Sequence, residues 1–202
     1  MTSDGATAAV IPLDAPIVTF GDIVRGTWPS DLHPLSGTIF SWIMSNYWDT
    51  NYASSQGGDY VFRYRIVSTK EFDAQQLTRL GWEALTPLES DQVGSSPTPH
   101  ALHGASASFL HLSADSVVAT TWKLAEDGDG SILRLEETAG RAENVAVDSS
   151  YLKINHVWLC NVLEERSKEL PVAADGIHLT IPAYGIVTLR LETQPVHETK
   201  GE

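Results

Sequence analysis

Beyond Ser106 the chain breaks into short segments of alternating apolar and polar residues separated by glycine, aspartate and proline, and this spacing most restricts its fold. The segments are 106–112, 117–125, 131–137, 145–147, 152–163, 176–181 and 185–192. Closely spaced strands with tight turns and almost no helix specify antiparallel sheets packed face to face. The expected fold class is all-β, an antiparallel β-sandwich with one short helix. In the last two segments Ile177, Leu179 and Ile181 alternate with His178 and Thr180, and Val187, Leu189 and Leu191 alternate with Thr188 and Arg190. With 182–185 as a turn, this pair is predicted to be a hairpin with one buried face.

Upstream, Asp59 to Val67 also alternates, placing Tyr60, Phe62, Tyr64 and Ile66 on the face expected to be better buried, after a turn at Gly57 and Gly58. The one helical pattern is 73–85, where Asp73 can cap the first turn, Ala74, Leu77, Leu80 and Ala84 form an apolar stripe, and Pro87 stops it. Residues 1–16 are small, polar and proline-punctuated and are expected to be a flexible arm. Ser90 to His103 reads as a loop within one domain. The predicted organisation is thus an arm over 1–16, one domain over 17–193 and a flexible tail over 194–202. A chain of 202 residues suits one well-buried domain of that size.

A formal charge of −13 repels a phosphate backbone, and no Lys/Arg stripe overrides it, so nucleic acid is excluded as an expected partner. The start, MTSDGATAAVIPLDAP, has no basic region followed by a continuous apolar stretch, and no apolar run approaches the ~18 residues of a membrane span. Cys160 is the single cysteine, so no intrachain disulfide forms. These features favour a cytoplasmic setting with no membrane partner.

The acidic turn Glu126, Asp127, Asp129 in AEDGDGS suggests calcium or a hydrolytic carboxylate pair. An EF-hand loop counted from Asp127 needs a bidentate Glu at its twelfth position, where Thr138 stands. Glycoside hydrolysis needs carboxyls facing each other across roughly 5 to 9 Å, which neighbours in one tight turn do not do. The remaining reading is a hairpin turn that uses Asp and Gly where positive φ is required. His100 and His103 are close in sequence but lack Cys or acidic companions at zinc-site spacing, so no metal is expected in this chain. Cys160, between Leu159 and Asn161, reads as an inert thiol in an apolar stretch.

The run GTIFSWIMSNYWDTNYASSQGGDYVFRYRI, 37–66, remains. Its carboxamides and rings have two readings. Asn46, Tyr47, Trp48, Asn51, Tyr52 and Gln56 can be core and loop packing, or they can form a sugar-facing rim, with rings stacking on a pyranose and amides bonding its hydroxyls.

The same run closely resembles a block in the C-terminal β region of glycoside hydrolase family 38, the α-mannosidases, especially their bacterial and cytosolic or vacuolar branch. Residues 122–139, WKLAEDGDGSILRLEETA, resemble that region's E-D-G-D-G-x-I-L-R-L turn and strand. The stretch Asn161-Val-Leu-Glu164-Glu165, the closing residues 181–191, and the blocks 18–29 and 72–88 follow the family in order. The resemblance spans about 18–191. It implies retaining hydrolysis of α-mannosidic bonds by a nucleophilic Asp, an acid/base carboxylate and a zinc-type divalent metal held by His and Asp. In the family those groups belong to an N-terminal α/β barrel and the helical bundle after it, to which nothing in these residues corresponds. The resemblance therefore implies a domain that is inactive alone and lacks a cofactor of its own. Its expected partners are an α-mannosidase catalytic domain, in the same or a separate chain, and a mannose-containing saccharide.

The leading expectation is a domain that packs on the catalytic part, with 46–56 as a wall near the substrate. The alternatives are a stand-alone carbohydrate-binding module and a structural or assembly domain whose apolar patch pairs with another chain.

Overall fold

The computed structural model describes residues 2–3, 5–23, 30–31, 33–34, 36–45, 49, 55–92 and 106–196. The fold is mostly β with antiparallel sheets and, among the described residues, one helix. The chain divides into two compact units, Met1–Asp73 with Leu80–Pro87, and Ala74–Arg79 with Leu88–Glu202. The helix α1, Ala74–Leu85, begins directly after Asp73 and stops short of Pro87, as its pattern predicts. Of its apolar stripe only Ala84 is fully buried.

In the first unit β1 (Thr2–Ser3) pairs with β2 (Ala6–Pro12), and β2 pairs with β5 (Tyr64–Thr69). A separate ribbon joins β3 (Val18–Phe20) to β4 (Ile39–Ser41). Residues 6–12, expected in a flexible arm, are thus a paired strand. The sequence signal is weak there because ATAAVIP offers alanine in place of bulky β-formers; the strand rests on its six-register pairing from Thr7↔Thr69 to Pro12↔Tyr64. Asp14 adds a clamp: its carboxylate accepts the Arg63 backbone N–H at 2.7 Å and the guanidinium at 2.8 and 3.0 Å. The Arg63 bonds hold the Asp14 carboxyl well down, at about 2. The expected strand over 59–67 is shorter, and its faces are reversed. Tyr64 and Ile66 are exposed while Val67 and Thr69 are half-buried, because β5 packs beside β2 with its 67/69 side toward the unit.

The second unit is a sandwich. Its larger sheet has the order β11–β10–β14–β8–β7, from β7 (Val117–Leu124), β8 (Ser131–Glu137), β10 (Leu152–Cys160), β11 (Arg166–Leu170) and β14 (Ile186–Pro195). The smaller sheet has the order β12–β13–β9–β6, from β6 (His111–Leu112), β9 (Glu143–Asp148), β12 (Val172–Ala173) and β13 (Gly176–Ile181). Val117, Leu133, Leu135, Val157, Leu189 and Leu191 from one sheet meet Val145, Val147, Ile177 and Ile181 from the other in one core cluster. Each such side chain taken fully from water contributes about 1.5–3 kcal/mol before entropy is charged.

The last two strands are not a hairpin. β13 pairs with β9, and β14 pairs with β8 and β10, so 182–185 carries the chain from one sheet to the other. Both apolar faces point inward, but they meet across the core instead of sharing one sheet. Period-2 alternation reports which face is buried and cannot distinguish these two arrangements. At the other end β14 runs to Pro195 and the Val196 N–H donates to Tyr151 O at 2.9 Å, so the described start of the expected tail is ordered strand.

Candidate functional site

Of the six candidate sugar-facing residues, Asn46, Tyr47, Trp48, Asn51 and Tyr52 lie outside the described residues. Gln56 is exposed, and its Nε2 donates to the Ser45 carbonyl at 2.8 Å. Elsewhere in 37–66 the described residues present polar and aromatic groups. Ser41 Oγ and Tyr64 OH are 2.8 Å apart, the Tyr60 and Phe62 rings stack at 6.4 Å, and Trp42 and Tyr60 are 56% and 51% exposed. Exposed rings beside hydroxyls suit a sugar or another protein surface equally.

The acidic turn is a hairpin turn, as its composition predicts. The Ala125 N–H donates to Gly130 O, the Gly128 N–H to Ala125 O, and both glycines have positive φ, 77° and 83°. A Cβ on Gly130 would stand 2.6 Å from Leu191 O, so glycine there is a packing requirement.

What the sequence concealed is the cation behind this turn. Arg190, only 5% exposed, donates from Nη1 to Asp127 Oδ2 at 2.7 Å and to Asp129 O at 3.3 Å, and from Nη2 to Glu164 O at 3.0 Å. Lys123 pairs with the buried Glu164 at 2.8 Å and with Glu126, and Glu164 accepts the Glu126 backbone N–H at 3.0 Å. Arg166 bonds Asp129 at 2.7 Å and Glu192 at 3.3 Å while lying 4.4 Å over the Trp158 ring. Arg190 holds the Asp127 carboxyl below its usual range, helped by the Asp129 N–H, and Lys123 does the same to Glu164. A general acid needs the opposite shift. These carboxylates are ionised braces, and their geometry fits a structural lock. Alternation places Arg190 on the solvent side of β14, yet the acidic turn and Glu164 close over it, and no local signal announces that.

Burial raises the Cys160 thiol above its usual range, against the pull of nearby Arg190 and Arg166, which fits an inert thiol. His111, His156 and His178 each pair with one carboxylate, Asp148, Glu169 and Asp175 respectively. Among the described residues no group of three potential metal ligands converges. His100 and His103 lie outside them.

The outer turn and most of the brace and of the two-sheet core come from one stretch of chain. Residues 116–189 match the family model of the glycosyl hydrolases family 38 C-terminal beta sandwich domain. This stretch is a family 38 C-terminal β-sandwich domain. No curated protein matches the chain. The family 38 match takes in β7 to β13 and the first strand positions of β14, with Lys123, Asp127 and Glu164 inside it and Arg190 one residue beyond. The 37–66 run lies outside it.

Proposed function

We propose that the chain is the C-terminal β part of an α-mannosidase-type glycoside hydrolase, that it supports the catalytic domain, and that it lines the substrate site with residues 46–56. The observation that carries this reading is the family 38 match over 116–189. The supporting role draws on the character of the first unit. Among its described residues the fully buried apolar ones are Ala15 and Ala84, while Ile17, Phe20, Trp42, Ile43, Val61, Ile66 and Phe72 are exposed. A module with that balance gains most of its apolar burial from a partner surface. The partner is the catalytic domain, which supplies both carboxylates and the zinc-type metal. The assembled enzyme works on mannose-containing saccharides, in a cytoplasmic setting that the single cysteine favours. No described helix is long and apolar enough to cross a membrane.

The test is hydrolysis of 4-nitrophenyl α-mannoside by the purified chain, with and without added zinc. No turnover above buffer is the expected result. Metal-dependent turnover by the chain alone would overturn the assignment of catalysis to another domain.

A further inference from the structure

A cleft of about 1150 Å³ opens in the second unit along β10. The strand β14 pairs with β10 from Leu152 onward, whereas β11 pairs with it only from Val157 to Cys160. Among the described residues, the edge of β10 from Leu152 to His156 therefore has no strand partner on that side. The opposite wall of the cleft is residues 172–176.

A free strand edge invites another strand, yet this one is shaped against it. The register shifts between Ile154 and His156, so Asn155 is the extra residue of a β-bulge, and Lys153 precedes it. Bulges and lysines are the usual means of blocking strand addition. The bulge also takes the Asn155 side chain out of the regular alternation. Asn155 and Gln194 both line the cleft, and among the described residues neither carboxamide makes a hydrogen bond. Each has donor and acceptor capacity to offer.

The remaining lining narrows the ligand. Asp148, Asp175 and Glu192 outnumber Lys153, which disfavours an anion, and each already has a partner, His111, His178 and Arg166 respectively, which disfavours a cation. An apolar ligand would strip water from the carboxamides without replacing its hydrogen bonds. A neutral, hydroxyl-rich molecule satisfies both conditions. Ile154, Val172 and Val196 offer apolar surface for the C–H faces of a pyranose.

We propose that this cleft is a saccharide-binding site, separate from the 46–56 segment, in which the Asn155 and Gln194 carboxamides bond ligand hydroxyls. The choice of a mannoside as first probe rests on the functional reading above; the site does not.

The experiment titrates the isotope-labelled full chain with α-linked mannotriose, with maltotriose and with a neutral extended peptide, following the side-chain amide resonances. Those of Asn155 and Gln194 are identified by their loss in N155A and Q194A. The expected result is a saturable shift of both amides with a trisaccharide, weakened about fivefold by each substitution, as one neutral hydrogen bond implies. Q194A changes an exposed residue near the strand end, so it remains informative if N155A disturbs the bulge. Binding of maltotriose and not mannotriose at these amides supports the cleft site while counting against the mannosidase reading. Absence of shifts with either sugar, saccharide binding unchanged in both variants, or shifts with the peptide alone overturns the proposal.

Discussion

Glu137 at the end of β8 accepts the backbone N–H of Tyr184 at 3.0 Å, and this bond ties one sheet to the crossover that leads between sheets. The same carboxylate accepts the Ala139 and Gly140 N–H groups at 2.7 and 2.8 Å. It is fully enclosed, with 0% exposure. Gly140 has φ 75° and sits directly under the Tyr184 ring, where a Cβ would come within 2.5 Å of the hydroxyl. One buried anion therefore organises two turns that the sequence places 44 residues apart, from 140 to 184.

Burial alone would raise the Glu137 carboxyl, but the N–H groups of Tyr184, Ala139, Gly140 and Arg141 outweigh it and hold the group below its ordinary range. With the native pKa depressed, its stabilisation is complete above the ordinary glutamate range and is lost as pH falls through the lowered value. E137Q retains shape but brings an N–H₂ toward backbone donors. Thermal unfolding should show a melting temperature several degrees lower in E137Q at neutral pH, with the gap to wild type closing in acid. An unchanged neutral melting temperature would contradict the role given to this carboxylate.

Removing Arg190 leaves the Asp129 and Glu164 carbonyls and the Asp127 carboxylate without their shared donor. R190M keeps the apolar stem and should cost about 2 kcal/mol or more in urea unfolding, the scale of lost charge-assisted bonds in a buried setting. D127N, at an exposed partner, should cost clearly less. Equal losses would mean that the carboxylate, and not the enclosed guanidinium, carries the lock.

Gly176 opens β13 at φ 112°, and an added Cβ would collide with Val147 O on the neighbouring strand. Gly128 also has positive φ, 77°, but faces open space. G128A should therefore lose only the left-handed backbone preference, about 1–2 kcal/mol, while G176A adds a backbone clash and should lose about 3 kcal/mol or more. Denaturation midpoints of the two variants check the difference.

The sandwich was legible because its strands alternate strongly: 131–137 and 176–181 are found with the predicted bounds. Pairing was less so, since the inward faces of β13 and β14 look alike whether they share a sheet or oppose each other. The strand β11, RSKEL, escaped notice because it is an exposed edge with a single half-buried residue, Leu170, held by backbone pairing to β10. Arg190 and Glu137 escaped for another reason. A charged residue in a strand reads as solvent-facing, and only long-range neighbours reveal that it is enclosed. Gln56, one of the six residues of the candidate rim, bonds to the Ser45 carbonyl, a partner eleven positions away that composition does not indicate.

Ile66 on β5 and Phe72 just beyond it are 73% and 65% exposed, in a first unit whose fully buried apolar residues, among those described, are Ala15 and Ala84. Apolar side chains left in water in this number bind hydrophobic dyes and promote association. I66T preserves β-branching, so its strand preference survives while the apolar surface shrinks. The double variant I66T/F72S should bind less anilinonaphthalene sulfonate and self-associate less by light scattering, with an unchanged far-ultraviolet strand signal. If these side chains were instead core of the isolated unit, the double variant would cost several kcal/mol, as core truncation does, and dye binding would rise as the unit loosened. The sign of the dye change thus separates a surface kept for a partner from a core, and a rise would remove the first unit's part in docking.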